Sequence, residues 1–423
     1  MAESPRRRLF GRAATGAHHA ALRAVELIPP ARGRPAREPG APLPVRFLLA
    51  HAWGMGGTIR TTLATGNQLR RRHDVEVVSV LRRRGKPRLR HPKRLRVIAL
   101  EDRRRPKPLA RLLGRLPSLL IHPDDYAYAW STLWTDVQLV RWLRRLEPCV
   151  LVTTRPAFNL LAARLAPPGV VRVGQEHMHA GAHRPRLTAD IRRTYPRLDV
   201  MTVLTSPDER AYGEILAGTG TAVVRIPNPV PRIPGPGADP QARVILAAGR
   251  LTQQKGFDLL IEAFKPVAER HPDWALRIYG GGSHRDALAA RIERGGLAGR
   301  ARLMGVVDGL GPAMAEASVY ALSSRFEGFP MVLLEAMSKG LAVAAFDCPN
   351  GPADAIEDGV DGRIVAAEDV DALGAALLEL VEDEALRRRL GAAAVRAAQR
   401  YELKAIGARW DALLADLSRA GAV

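Results

Sequence analysis

Cysteine is nearly absent from this chain: Cys149 and Cys348 are the only two in 423 residues. Two thiols exclude a disulfide framework and a four-thiolate metal site, and they fit a reducing compartment. No apolar run approaches the eighteen or so residues of a membrane span. A Walker A loop is missing, which removes the usual signature of phosphoryl transfer, as is any helix-turn-helix, RNA-recognition or zinc-finger pattern. No repeat of solenoid period is present. Acidic side chains are scarce: 43 Asp and Glu stand against 64 Lys and Arg, a net charge of +21. That excess suits an anionic partner, whether nucleic acid, an acidic membrane surface or a polyanionic glycan. GC-rich codon usage would produce the same arginine and alanine bias. The strongest basic run, Arg82 to Arg94, lacks interleaved aromatics, so nucleic acid is set aside as a partner.

What is there divides into segments. Residues 1–43 are basic and rich in proline and read as a flexible tail. Ser4-Pro5-Arg6-Arg7-Arg8 begins like a twin-arginine export signal, but His18, His19, Arg23 and Glu26 interrupt the place where an apolar core should follow. A short amphipathic helix within Ala13 to Leu27, touching a membrane, is the alternative. From Val45 onward apolar, β-branched runs alternate with helical stretches. Strands are expected at Val45–Ala50, Val75–Val80, Leu95–Leu100, Val150–Thr153, Val170–Gly174 and Val200–Leu204, and helices at Leu139–Leu146 and Phe158–Leu165. Five prolines and two glycines between Pro227 and Gly237 break the rhythm and mark a linker. The rhythm restarts at Val244–Gly249, with strands expected at Leu276–Tyr279, Arg302–Met304, Val319–Leu322, Val343–Phe346 and Arg363–Val365. Alternating strands and helices imply two doubly wound α/β domains with parallel sheets. The expected divisions are a tail over 1–43, domains over 44–230 and 241–400 joined by a linker over 231–240, and an amphipathic helix over 401–423.

The most informative stretch is Ser323-Ser324-Arg325-Phe326-Glu327-Gly328-Phe329-Pro330-Met331-Val332-Leu333-Leu334-Glu335-Ala336-Met337. Two carboxylates eight residues apart flank a Gly-Phe-Pro turn that opens a helix, with Pro330 at its first turn and the free N–H groups of that turn facing an anion or a polarised sugar oxygen. This stretch resembles the E-x7-E signature of the retaining GT-B glycosyltransferases of family 4, the group 1 glycosyltransferases. Phe346 to Pro352 and Asp358 to Gly362 are similar to the blocks that follow it. Gly249-Arg250-Leu251-Thr252-Gln253-Gln254-Lys255-Gly256 resembles the family's G-R-x-x-x-x-K-G loop.

The resemblance spans about Val45 to Leu414 and is weaker in the first half. It implies a GT-B fold, two Rossmann-like domains facing a central cleft with a C-terminal helix crossing back to the first. It implies a metal-independent hexosyltransferase that uses a nucleotide diphosphate sugar, UDP-hexose or UDP-N-acetylhexosamine, without a resident cofactor. The implied acceptor is a hydroxyl of a cell-surface glycan, a teichoic acid or a lipid-linked sugar, and the implied location is the cytoplasm, peripheral on the inner face of an anionic membrane. A catalytically silent GT-B protein binding an anionic glycan is the alternative. Arg250 and Lys255 would hold the donor diphosphate, Glu335 the ribose hydroxyls and Glu327 the donor sugar, with Gly57, Gly249, Gly281, Gly305, Gly328, Phe329 and Pro330 beside the donor. A histidine follows a first-domain strand in such proteins. Here it is His177 or His179 in Gln175-Glu176-His177-Met178-His179, with His177 taken first. Without the family, Glu176, His177 and His179 suggest a metal site lacking an evident further ligand. Asp369-Val370-Asp371 resembles a metal-binding D-x-D, but its place before a helix makes it a cap.

Overall fold

A computed structural model describes residues 5–29 and 44–419 and divides into two compact units: Met1–Leu204 with Asp208–Ile226 and Ile406–Val423, and Thr205–Pro207 with Pro227–Ala405. The first unit holds a seven-stranded sheet. Its strands are β1 (Val45–Leu49), β2 (Val75–Arg82), β3 (Arg96–Asp102), β4 (Val150–Thr153), β5 (Val171–Gln175), β6 (Val200–Val203) and β7 (Ala222–Arg225), all parallel in the order β3-β2-β1-β4-β5-β6-β7. The helices are α1 (Pro5–Glu26), α2 (Gly57–Leu69), α3 (Pro108–Leu113), α4 (Leu133–Leu143), α5 (Pro156–Leu165), α6 (Pro185–Thr194) and α7 (Ser206–Ile215). Pro108, Pro156 and Pro185 stand at helix starts, where the missing N–H costs nothing.

The period of two along β1 sends Phe47 to one face and Leu48 to the other, and both faces are covered. Leu48, Val78 and Leu151 pack with Leu139, Leu143, Phe158 and Leu161. Leu22 of α1 joins them and is buried. The Glu26 carboxylate accepts from Arg164 at 2.9 Å and Arg197 at 3.1 Å, and Arg144 donates to Val25 O at 2.9 Å. Over 13–29 the flexible-tail expectation is therefore corrected. His18, Ala21, Leu22 and Val25 recur at helical spacing, and that stripe is spent on the protein core rather than on a membrane. Residues 1–4 and 30–43 of the expected tail lie outside the described residues.

The second unit holds six parallel strands, β8 (Val244–Ala248), β9 (Ala275–Tyr279), β10 (Ala301–Gly305), β11 (Val319–Leu322), β12 (Ala342–Asp347) and β13 (Arg363–Ala366), in the order β10-β9-β8-β11-β12-β13. Its helices are α8 (Phe257–Ala263), α9 (Lys265–Arg270), α10 (Arg285–Arg294), α11 (Gly311–Ala315), α12 (Met331–Lys339), α13 (Val370–Glu382) and α14 (Glu384–Ala398). Asp369 caps α13 by accepting from Ala372 N at 2.9 Å. The proline-rich stretch is no free linker. Ala238 N donates to Lys339 O at 2.7 Å, and the Lys339 ammonium reaches Gly235 O at 2.8 Å, so the unit begins at Pro227.

The last helix, α15 (Leu403–Arg419), belongs to the first unit from Ile406 onward. Ile406, Trp410, Leu413, Leu414 and Leu417 pack on the β1 face, and the Trp410 ring meets Phe47 edge-on at 5.9 Å. Truncating a buried aromatic of this size costs about 3–5 kcal/mol, so this helix is integral to the unit. Among the described residues no helix is long and apolar enough to cross a membrane.

Candidate functional site

In a parallel sheet every strand ends on the same edge, so motifs distant in sequence gather there. In the second unit that edge carries the turns after β8, β9, β10, β11 and β12. Gly249 N donates to Tyr279 O at 2.9 Å, Leu251 N to Gly281 O at 3.0 Å and Gly280 N to Gly305 O at 2.8 Å, which lays Gly249, Gly281 and Gly305 side by side. Gly280 must be glycine, because at φ 140° an added Cβ would lie 1.8 Å from Gly249 O.

The turn after β8 meets the turn after β11. The Lys255 ammonium lies 2.5 Å from Glu327 Oε1, and Ser324 Oγ donates to the same oxygen at 2.6 Å. Lys255 is 17% exposed and Glu327 6%, so the pair is largely withdrawn from water. Arg250 is exposed and donates to Gln254 Oε1 at 3.3 Å, while Gln254 Nε2 donates to Phe326 O at 3.1 Å. Two more contacts tie the turns: Arg325 N donates to Gln254 O at 2.8 Å and Ser323 Oγ to Lys255 O at 3.0 Å. The Arg325 guanidinium grips Asp258 with two hydrogen bonds, 2.9 and 2.8 Å, and Glu368 with a third at 2.9 Å. Their hydrogen bonds and charges raise the Arg325 pKa and depress that of Asp258.

Glu335 lies buried on α12. Beneath both glutamates, burial and then the charges of Glu327 and Glu335 push the Tyr320 hydroxyl well above its ordinary pKa, and no partner for it occurs among the described residues. Gly328 is half-buried beside Glu327. Pro330 precedes α12 as its N-cap rather than filling its first turn, and the Phe329 ring turns inward to meet Tyr401 edge-on at 5.9 Å. The Phe329 side chain therefore belongs to the core, which leaves only its backbone to the turn. Burial pushes the Cys348 thiol up to about 12, with Glu327 adding to it, so it is not a nucleophile.

The carboxyl edge of the first unit gathers a different set. His51 follows β1, Arg83 follows β2, Arg155 follows β4 and His177 follows β5. Both ring nitrogens of His177 are covered and without a partner among the described residues. Burial and then the Arg155 charge hold its pKa near 4, so it is neutral at pH 7. His51 is lowered by burial and, further down, by Arg155 and Arg83. Arg155 is fixed by Asp125, 3.0 Å away, which also accepts from Ala157 N at the start of α5. Gly57 opens α2, exposed, with nothing within 4 Å of where a Cβ would stand.

The metal reading of Glu176, His177 and His179 is replaced by a structural one. Glu176 Oε1 accepts from Tyr195 Oη at 2.7 Å and from Asn159 Nδ2 at 3.2 Å, with His183 at 3.6 Å from the other oxygen. The run from Arg82 to Arg94 starts at the last residue of β2 and continues as a loop with exposed cations but an anchored backbone. Arg82 stacks over Trp53 at 4.6 Å, and Arg88 N donates to Trp53 O at 3.3 Å. Sequence reasoning missed Ser324, Tyr320, Arg325, Arg155 and His51. The S-x-x-E spacing of Ser324 and Glu327 was an available signal, whereas Tyr320 sits in a run that reads as plain core.

Residues 242–383 match the family described as "Glycosyl transferases group 1". An exopolysaccharide phosphotransferase of Streptomyces coelicolor is 33% identical over 392 residues, 88% of this chain and 41% of that protein. A phosphatidyl-myo-inositol mannosyltransferase of Mycolicibacterium smegmatis is 35% identical over 185 residues, 43% of this chain and 47% of the relative. The chain thus spans less than half the length of these two relatives. Among solved structures, Staphylococcus aureus TarM in complex with fondaparinux, α-GlcNAc-glycerol and UDP superposes with a TM-score of 0.71 at 15% identity, covering 88% of this chain and 100% of that one. The two Rossmann-like sheets are those of the GT-B fold.

Proposed function

From a chain that carries a group 1 glycosyltransferase domain, we propose a retaining, metal-independent transferase that moves a hexose or N-acetylhexosamine from a UDP-sugar to a hydroxyl of a surface glycan, teichoic acid or lipid-linked acceptor. The observation that carries the reading is the Lys255–Glu327 pair beside Arg250 and the stacked turns at Gly249, Gly281 and Gly305. Breaking the sugar C1–O bond leaves negative charge on the diphosphate. Arg250, Lys255 and free N–H groups at the start of α12 are the donors that would receive it, doing the work often given to a metal ion. Glu335 takes ribose hydroxyls, Glu327 aims Lys255 and faces the sugar, and Gly328 and Pro330 shape the turn. In a front-side displacement the acceptor oxygen bonds to C1 on the face the nucleotide leaves, and the acceptor proton passes to the departing diphosphate oxygen. His177, neutral and with neither ring nitrogen partnered among the described residues, is the first unit's candidate for a hydroxyl contact, which needs its cover to move aside.

The test is product identity. Sugar transfer releases UDP, whereas phosphosugar transfer, the outcome that the name of the Streptomyces relative would suggest, releases UMP. With UDP-hexoses and UDP-N-acetylhexosamines, UDP and an axial product linkage from an axial donor are expected, unchanged by added Mg2+ or Mn2+. UMP, inversion or a requirement for added metal would overturn the corresponding part of the proposal.

The acceptor side favours an anion, because His51 and His177 share their edge with Arg83 and Arg155, and the loop that follows β2 carries exposed cations. The α3 region adds exposed Leu109, Leu112 and Leu116 beside Lys107, Arg111 and Arg115, a composition that suits docking on an anionic cytoplasmic membrane face. Replacing Arg83, Arg84, Arg88 and Arg90 with serine, leaving Arg82 on Trp53, should weaken transfer to an anionic acceptor and spare a neutral one. The difference should fade with salt, as the Debye length falls from about 10 Å at 0.1 M to about 3 Å at 1 M. Equal salt sensitivity of both acceptors would leave the charge without this role.

A further inference from the structure

The first unit contains a histidine–aspartate cluster that sugar transfer does not use. His18 and His19 of α1 meet Asp190 of α6, and one ligand atom from each lies within 4.8 Å of the others. His18 is 1% exposed, and its Nδ1 lies 3.0 Å from Leu119 O. A carbonyl only accepts, so Nδ1 carries the proton and Nε2 bears a lone pair. That Nε2 is buried with no hydrogen-bond partner among the described residues. Asp190 Oδ2 lies 2.7 Å from His19 Nε2, and Arg193 occupies Oδ1 at 2.5 Å.

His122 stands next to the cluster, wholly buried, its ring 5.2 Å from that of His18. Its Nδ1 accepts from Asp124 N at 3.0 Å, which puts its proton on Nε2, 3.5 Å from Asp190 Oδ2. It therefore cannot ligate in this tautomer. Its Nε2 makes no hydrogen bond among the described residues, and the Asp190 carboxylate is the acceptor it would close on as an outer partner of a bound ion, as Leu119 O already orients His18.

We propose that His18 Nε2, His19 Nε2 and Asp190 Oδ2 bind a zinc-class divalent cation that staples α1 to α6. Two imidazoles and one carboxylate, with water in the fourth position, suit zinc, whose tetrahedral bonds of about 2.0–2.2 Å require His19 Nε2 and Asp190 Oδ2 to open from 2.7 Å as the ion replaces the proton between them. Binding releases the proton between His19 and Asp190. Arg193, whose guanidinium also touches His19 Nε2 at 3.1 Å, is 56% exposed and free to swing off the ring while keeping Oδ1. The site lies within the first unit and is independent of the sugar-transfer reading.

The test uses the full chain with any purification tag removed, treated with chelator, dialysed and titrated with Zn2+ and, separately, Co2+. One equivalent should bind, with the visible absorption of four-coordinate Co2+. Zn2+ should raise Tm and slow proteolysis at α1. His18→Ala and Asp190→Asn should abolish stoichiometric binding, and His122→Phe should weaken it by about 10–100-fold. His19→Ala, at a 29% exposed side chain, keeps the fold and should also lose the ion. Absence of binding at one equivalent would overturn the proposal. So would retention of wild-type affinity by the folded His19→Ala protein.

Discussion

Arg250→Ala should lower kcat/KM for sugar transfer by on the order of a hundredfold or more, and Lys255→Ala by at least as much, because in the proposed reaction each would remove a donor to charge that develops only as the C1–O bond breaks. The two differ in their effect on the fold. Arg250 is exposed and, among the described residues, its guanidinium donates to Gln254 alone, so loss of the side chain should leave Tm unchanged. Lys255 neutralises a carboxylate that is 6% exposed, and its removal leaves the Glu327 carboxylate with Ser324 as its remaining partner among the described residues. Stripping one partner from a fully buried pair costs about 3–5 kcal/mol, and the 17% exposure of Lys255 places the cost below that. Lys255→Ala should therefore lose both activity and some stability, while the double mutant Lys255→Ala, Glu327→Ala should recover stability without recovering turnover. Steady-state kinetics alongside thermal melts make the distinction. Wild-type transfer by folded Arg250→Ala and Lys255→Ala would remove both residues from the mechanism.

The site's division into legible and hidden parts has a physical cause. Arg250, Lys255, Glu327 and Glu335 were readable because each sits in a local pattern: a loop leaving a strand, or a turn opening a helix. The contacts that fix them span the sheet. Arg325 meets Asp258 from 67 residues away, and the Tyr320 hydroxyl lies beneath two carboxylates only because β11 runs between β8 and β12. No local spacing encodes such a neighbour. The same limit applies to Arg155 and His51, which share an edge through the pairing of β1 with β4.

Strand cores were legible almost residue for residue where burial on both faces demands unbroken apolar runs, as at Val150–Thr153 and Val319–Leu322. The edge strand β7 was missed, since Ala222–Arg225 is short and only half-buried. A helix within Ala13 to Leu27 was legible but ranked second to a flexible tail, because arginine and proline dominate its surroundings, although His18, Ala21, Leu22 and Val25 keep helical spacing within α1. Composition outweighed periodicity there, and periodicity was the better guide.

Gly256→Ala should damage the turn that carries Lys255 more than any other single methyl added to that turn. Gly256 sits at φ 59°, and an added Cβ would lie 1.9 Å from Ser323 O, an atom of the β11 exit that has no flexible end to move aside. The left-handed backbone costs a non-glycine residue about 1–2 kcal/mol and overpacking about 1–3 kcal/mol, so a loss of roughly 2–5 kcal/mol is expected. Ser323 and Ser324 would have to retreat together, and with them the contacts to Lys255 and Glu327, so donor affinity should fall even well below the melting temperature. Gly57→Ala is the counterpart. Its Cβ would meet no atom within 4 Å, so stability should change by less than about 0.5 kcal/mol. If the Gly57 backbone lies against bound substrate, its transfer rate should nonetheless drop. Thermal melts and UDP titrations of the two variants separate the cases. A Gly256→Ala protein with wild-type Tm and UDP affinity would show that the Lys255 turn is not held by the Gly256–Ser323 approach.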